Sequence, residues 1–165
     1  MAQSSRLPQF VAVSLLVLTA SSPINASQSQ REDEVVAIVH RGEELNNQDK
    51  YKEAITELQK AIDIDAHSSY ALFRTAESQF KLGNLNAAGN ALRAALQGDL
   101  RPKWVEVWSY MNIGKIYDIR GQRFRALPMY RKAVDTADDS FNAQAEAKKC
   151  LNQPCEEHFI AWPSQ

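Results

Sequence analysis

The sequence predicts an all-α chain of stacked helical hairpins, and three observations carry that prediction. From Val35 onward, apolar residues recur at helical spacing, and almost no segment shows the strict alternation of a half-buried strand. Three alanine pairs, Ala54 and Ala61, Ala88 and Ala95, Ala126 and Ala133, are each seven residues apart. The step from Ala54 to Ala88 is 34 residues, and that from Ala88 to Ala126 is 38, the same period with four residues inserted. A unit of this length marks a helix-turn-helix array, because one helical pair cannot bury its own apolar stripe and needs a neighbour to cover it.

The elements follow in order. Residues 1–26 read as a secretory leader: a basic stretch ending at Arg6, an apolar run from Phe10 to Ala20, and an exit through Ile24, Asn25 and Ala26. The run has 11 residues. At about 1.5 Å per residue it covers about half of a ~30 Å hydrocarbon core, so it cannot span a membrane as a lone helix. Cleavage after Ala26 is expected to release 139 of the 165 residues to a periplasm or the exterior, with no integral membrane segment remaining. Residues 27–34 are polar and are expected to form an unstructured lead-in.

Helices are expected over 34–46, 51–64, 69–81, 85–97, 103–119, 123–136 and 142–151. Gly42, Ala76 and Gly114 on the first helix of each pair face Ala54, Ala88 and Ala126 on the second, so small residues meet small residues and the helices approach closely. Gly83 and Gly121 stand where a helix must stop in left-handed geometry. Asp49 and Asn84 are expected to cap the helices that follow. Pro102 is expected to open the fifth helix, where its missing donor costs nothing, and the four inserted residues lengthen that helix by one turn. Pro128 lies inside the sixth and removes one hydrogen bond, predicting a kink. The seventh has the polar composition of a closing helix.

The third repeat, 107–140, reads Tyr110-x2-Ile113-Gly114-x2-Tyr117, then Ala126-x3-Tyr130 and Ala133. It resembles the tetratricopeptide repeat, whose pattern is W-x2-L-G-x2-Y followed by A-x3-F. The first, 35–68, keeps Gly42, Leu45, Tyr51, Ala54, Leu58 and Ala61, with Arg41 where the pattern has Leu. The second, 69–102, keeps Leu72, Ala76, Gly83, Ala88, Leu92 and Ala95, with Gln79 for the usual Tyr and Phe80 beside it. Ala66, Leu100 and Asp138 replace the late Pro. The resemblance implies a right-handed α-solenoid, closed by helix 142–151 and followed by a tail, 153–165.

It also implies a concave groove lined by positions 2, 5, 9, 12 and 13 of each repeat. In the first repeat these are Val36, Val39, Glu43, Asn46 and Asn47. Tyr70, Phe73, Glu77, Phe80 and Lys81 follow in the second, and Trp108, Met111, Lys115, Asp118 and Ile119 in the third. The candidate peptide-binding residues are therefore Tyr70, Phe73, Glu77, Phe80, Lys81, Trp108, Met111 and Lys115. Aromatics at helical spacing equally serve as core, so the alternative is that these side chains are covered by neighbouring helices. The Lys/Asn clamp by which some members hold a peptide carboxylate is absent, since Val39 and Glu43 stand in its place.

Composition narrows the function classes. There are 19 Lys and Arg against 20 Asp and Glu, and removing the leader takes away only Arg6, leaving 18 against 20 and a net charge near −2. That balance gives no electrostatic footprint for nucleic acid or an anionic membrane. The sequence shows no phosphate-binding Gly-rich loop, no G-x-S-x-G elbow and no H-E-x-x-H helix, and His40, His67 and His158 are scattered. A non-enzymatic module without cofactor is expected, binding a protein or peptide of unidentified kind.

Cys150 and Cys155 are the only cysteines. In an oxidising compartment two Cys five apart across a helix stop read as a local disulfide. A zinc site with His158 is the sharper alternative, but it lacks a fourth ligand better than Glu156 or Glu157. Phe159, Ile160 and Trp162 make the tail apolar. It is expected to dock on the closing helix; the alternatives are insertion into a groove of this molecule or self-association through a neighbour's.

Overall fold

The computed structural model describes residues 23–155; the apolar run of the leader, and the tail from Glu156, lie outside the described residues. Among the described residues the chain forms α1 (Pro23–Asn47), α2 (Tyr51–Ile64), α3 (Ser69–Lys81), α4 (Leu85–Ala95), α5 (Trp104–Ile119), α6 (Arg123–Asp135), a short 3-10 turn (Ser140–Asn142) and α7 (Ala143–Asn152). The pairs α1/α2, α3/α4 and α5/α6 are hairpins, and each packs on the next through α2/α3, α4/α5 and α6/α7. The first helices α1, α3 and α5 also touch in sequence, which places them side by side along one face. This is an all-helical repeat solenoid. None of the described helices is long and apolar enough to cross a membrane.

Close helix approach explains the small residues. A methyl group on Gly42 would lie 2.6 Å from the Leu58 side chain, and one on Gly114 would lie 2.5 Å from the Tyr130 ring. Leu58 and Tyr130, both fully buried, occupy the space that a side chain would need. Gly83 and Gly121 end α3 and α5 at φ +78° and +66°, the left-handed geometry in which a Cβ is unfavourable. Two buried clusters result, one among α3 to α7 and a smaller one among α1, α2 and Ala71.

The structure corrects four expectations. Residues 27–34 are helical, as a solvated extension of α1. Anchored by Val35, Ile38 and Val39, the helix needs no new nucleus to continue back through the helix-forming Gln28, Arg31 and Glu32. The expected cleavage point after Ala26 consequently falls inside α1. Asp49 does not cap α2: it sits at φ +57°, and its carboxylate accepts from the Tyr51 hydroxyl. Asn84 occupies the cap position of α4 but donates to Gln79 Oε1 at 2.9 Å. Ser68 is the side-chain cap of α3, accepting from Ala71 N at 3.3 Å. Pro102 precedes α5, which begins at Trp104. Pro128 does lie inside α6, which runs as one helix from Arg123 to Asp135.

Candidate functional site: the concave face

The first helices present the inner face, and burial divides its expected lining into different classes. Position 5 is core in every repeat: Val39, Phe73 and Met111 are fully buried. Position 13 is open, with Asn47, Lys81 and Ile119 exposed. Position 2 grades along the array, from Val36 at 43% exposed through half-buried Tyr70 to Trp108 at 5%. Phe73, Trp108 and Met111 therefore belong to the packed interior and do not form an exposed aromatic patch. Phe80 is half-buried against the same core. Glu77 and Lys115 are buried as well.

At the middle of the face a charged cluster replaces the expected aromatic groove. Arg74 pairs with Glu43 and, at 3.0 Å, with Glu77 Oε2. Glu43 also accepts from the Tyr70 hydroxyl at 2.7 Å and meets His40 Nδ1 at 2.8 Å. The Arg74 guanidinium lies 5.5 Å from the Tyr70 ring and 5.4 Å from that of Trp104, while Trp104 packs edge-on against both Tyr70 and Phe73. Burial, with the hydrogen bond to Glu43 behind it, pushes the Tyr70 phenol up to about 12. Burial also raises the Glu77 carboxyl, against the pull of Arg74. For Arg74 burial opposes the charge, but Glu77 and Glu43 outweigh it and raise its pKa. The cluster locks α1 to α3 and α5.

Arg74 and Trp104 were not among the expected lining residues. The insertion in the third repeat was the available signal: it adds one turn before Trp108, and that turn begins with Trp104 on the same helix face. Asp118, expected in the groove, is instead a buried acceptor. It takes Arg123 Nη1 at 2.9 Å, the Tyr130 hydroxyl at 2.8 Å and Cys155 N at 2.9 Å. Burial and then the hydrogen bond to Asp118 push the Tyr130 phenol far up. Cys150 and Cys155 are joined in a disulfide next to this acceptor. Glu146 lies close to the two sulfurs, but those sulfurs are bonded to each other and offer no thiolate to a metal. His158 lies outside the described residues.

The open part of the face is a cleft of about 780 Å³ at the starts of α3 and α5. It is lined by Gln28, Glu32, Val35 and Val36 of α1, by Asp65, Ser68 and Tyr70 around the start of α3, and by Asp99, Arg101, Pro102 and Lys103 at the end before α5. Local hydrogen bonds fix that end. Asp99 Oδ1 accepts from Ser69 N at 3.0 Å, and the Ser69 hydroxyl accepts from Leu100 N at 2.9 Å while donating to Ala95 O at 2.7 Å. Of the expected lining residues, Val36 and Tyr70, the position-2 residues of the first two repeats, are the ones found in the cleft.

An array of helical hairpins with first helices side by side on one face is the architecture of a helical-repeat solenoid. The family model for the tetratricopeptide repeat matches residues 36–68, the α1/α2 hairpin and its link to α3. The same hairpin recurs twice more, as α3/α4 and α5/α6, and together with that match it supports a tetratricopeptide repeat protein. Such repeats generally mediate protein–protein interaction and are typically non-enzymatic. No curated protein matches the sequence.

Proposed function

We propose that this is an exported, non-catalytic module that takes an extended segment of a protein partner into the cleft between α1 and the starts of α3 and α5. The observation that carries the reading is the cleft itself, at about 780 Å³ the size of a typical ligand site. Val36, Val35, Tyr70 and Pro102 give it apolar surface, with Val36 left 43% exposed. Glu32, Asp65, Asp99, Arg101 and Lys103 add charged groups to its lining. Apolar anchors within a polar rim are the composition of a peptide-recognition surface.

A photoreactive residue placed at Val36 should crosslink a defined partner in cells, whereas one at exposed Gln59 on α2 should not. Equal labelling from both positions would count against the cleft. Export is supported by the leader pattern and by the disulfide, a bond at home in an oxidising compartment. The exported protein should begin at Ser27, and recovery of chains that retain Met1 would remove this part of the reading. The self-associating alternative depends on Phe159 to Trp162, which lie outside the described residues.

A further inference from the structure

We infer that the outer face of α6 is an interface for a second copy of this chain, and that it receives the acidic outer face of that copy's α1, so that copies associate head to tail. The first observation is how charge is distributed along the array. Residues 28–66 carry five Lys and Arg against ten Asp and Glu, a net −5, whereas residues 67–135 carry eleven against five, a net +6. The near-neutral total conceals two oppositely charged parts. The positive part is concentrated in one segment: residues 119–134 hold Arg120, Arg123, Arg125, Arg131 and Lys132, with no Asp or Glu among them.

The second observation is that both faces leave their charges without opposite partners. Of the five cations, only Arg123 meets a carboxylate among the described residues, that of Asp118. Arg120 donates to Asn86 Oδ1 and Arg125 to Gln122 Oε1, both neutral amides, while Lys132 lies 5.3 Å from the Tyr110 ring. Ala126, Tyr130 and Ala133 are the buried side of α6, which turns Phe124, Arg125, Pro128, Arg131 and Lys132 outward, all of them exposed. Phe124 is the most exposed large apolar side chain among the described residues, so the face offers an aromatic anchor ringed by cations. On α1, Asp33, Glu34 and Glu44 are exposed and meet no Lys or Arg among the described residues. Asp33 and Glu44 stand three turns and ~16 Å apart on one side of their helix, and Arg125 and Lys132 two turns and ~10 Å apart on theirs. Helix α1 packs on α2 and α3, and α6 on α5 and α7, so the two faces can complement each other only between copies. A contact between two different patches is heterologous and adds copies in a row unless the rotation closes a ring. Exposed ion pairs are individually weak, so the contact forms at on the order of 100 μM chain and is open in dilute solution. None of Asp33, Glu34, Glu44 or the α6 residues lines the cleft, so the assignment stands whatever the cleft binds.

Sedimentation velocity on the oxidised full chain tests this. At about 0.1 M salt the parent should pass from monomer to larger species as its concentration rises to ~100 μM. At about 1 M salt, where the screening length falls from ~10 to ~3 Å, the association constant should drop at least about tenfold. R125E/R131E/K132E and, separately, D33K/E34K/E44K should each stay monomeric while keeping the parent's helical spectrum. An equimolar mixture of the two should associate again, because the native α1 of the first then meets the native α6 of the second. A parent that remains monomeric at ~100 μM would overturn the inference, and so would a mixture that does not reassociate. Association that survives either triple substitution places the contact elsewhere and overturns it too. The same holds for a monomeric parent that binds phosphatidylglycerol vesicles and loses them with R125E/R131E/K132E, since the face would then belong to an anionic lipid surface. Should either variant lose the helical spectrum, the parent decides: association that is equal at the two salt concentrations would overturn the inference.

Discussion

Replacing Phe73 by alanine separates a packed interior from an open aromatic groove, because the two arrangements predict opposite effects. Phe73 is fully buried, with its ring 5.1 Å from that of Trp104 at 85° and 6.0 Å from the Arg74 guanidinium. Truncating such a ring costs about 3–5 kcal/mol in lost transfer energy and cavity. An edge-to-face aromatic partner adds about 0.5–1.5 kcal/mol, so roughly 4 kcal/mol is a moderate expectation for the sum. For a domain of this size each kcal/mol corresponds to roughly 3–5 °C, which puts the drop in Tm on the order of 12–20 °C. Circular dichroism melts of Phe73→Ala, with Phe124→Ala beside it, would measure this. Phe124 is 72% exposed, and its truncation should stay within about 0.5 kcal/mol of the parent. A Phe73→Ala protein that melts with the parent would refute the packing argument and return Phe73 to the groove.

Asp118→Asn should lower stability by about 3–5 kcal/mol, because Arg123 loses its buried partner; a urea midpoint equal to the parent's would show that the Asp118 acceptor site is not structural. Gly114→Ala should cost about 1–3 kcal/mol by driving a methyl into the Tyr130 ring, whereas Gly89→Ala, whose methyl would meet the far end of Arg93 at 3.5 Å and Ile116 Cδ1 at 3.8 Å, both ordinary contacts, should be neutral or gain up to about 1 kcal/mol; paired thermal melts check both. Tyr70→Phe should abolish a tyrosinate step near pH 12 in an ultraviolet titration. The Tyr70 pKa is raised in the fold, so its contribution to stability is complete below the unfolded value near 10 and is lost as pH rises through about 12. Loss of a step near pH 10 in Tyr70→Phe, in place of one near 12, would contradict the burial of that phenol.

How far the sequence carries differs between fold and site, for physical reasons. α2 and α3 fall on the expected 51–64 and 69–81 because turn residues and an abrupt end of the apolar period mark both of their ends. The start of α1 was not legible: from Ser27 to Glu34 every side chain is exposed, so no apolar stripe reports the helix. The groove positions follow from counting along the chain, and counting says nothing about cover. α5 buries 11 of its 16 residues, including Trp108, Met111 and Lys115, and a helix enclosed on all sides has no solvated face for periodicity to reveal. Ser68, a serine just before an apolar run, caps α3 with its side chain. The Arg74 cluster was not legible, because it joins Glu43, Glu77 and Trp104 across three helices that only the folded array brings together.

Hydroxyl-radical footprinting of the oxidised, full-length protein tests most directly the claim that position 5 of the inner face is packed core. Methionine is intrinsically among the most reactive side chains, so the protection of Met111 is the sensitive readout. The structure predicts rapid oxidation of Phe124 and Phe141, which are 72% and 52% exposed, while fully buried Phe73 and Met111 stay unmodified until the protein is unfolded. Oxidation of Met111 in the folded protein at the rate of Phe124 would contradict the account, because the stripe along α5 would then be open to solvent.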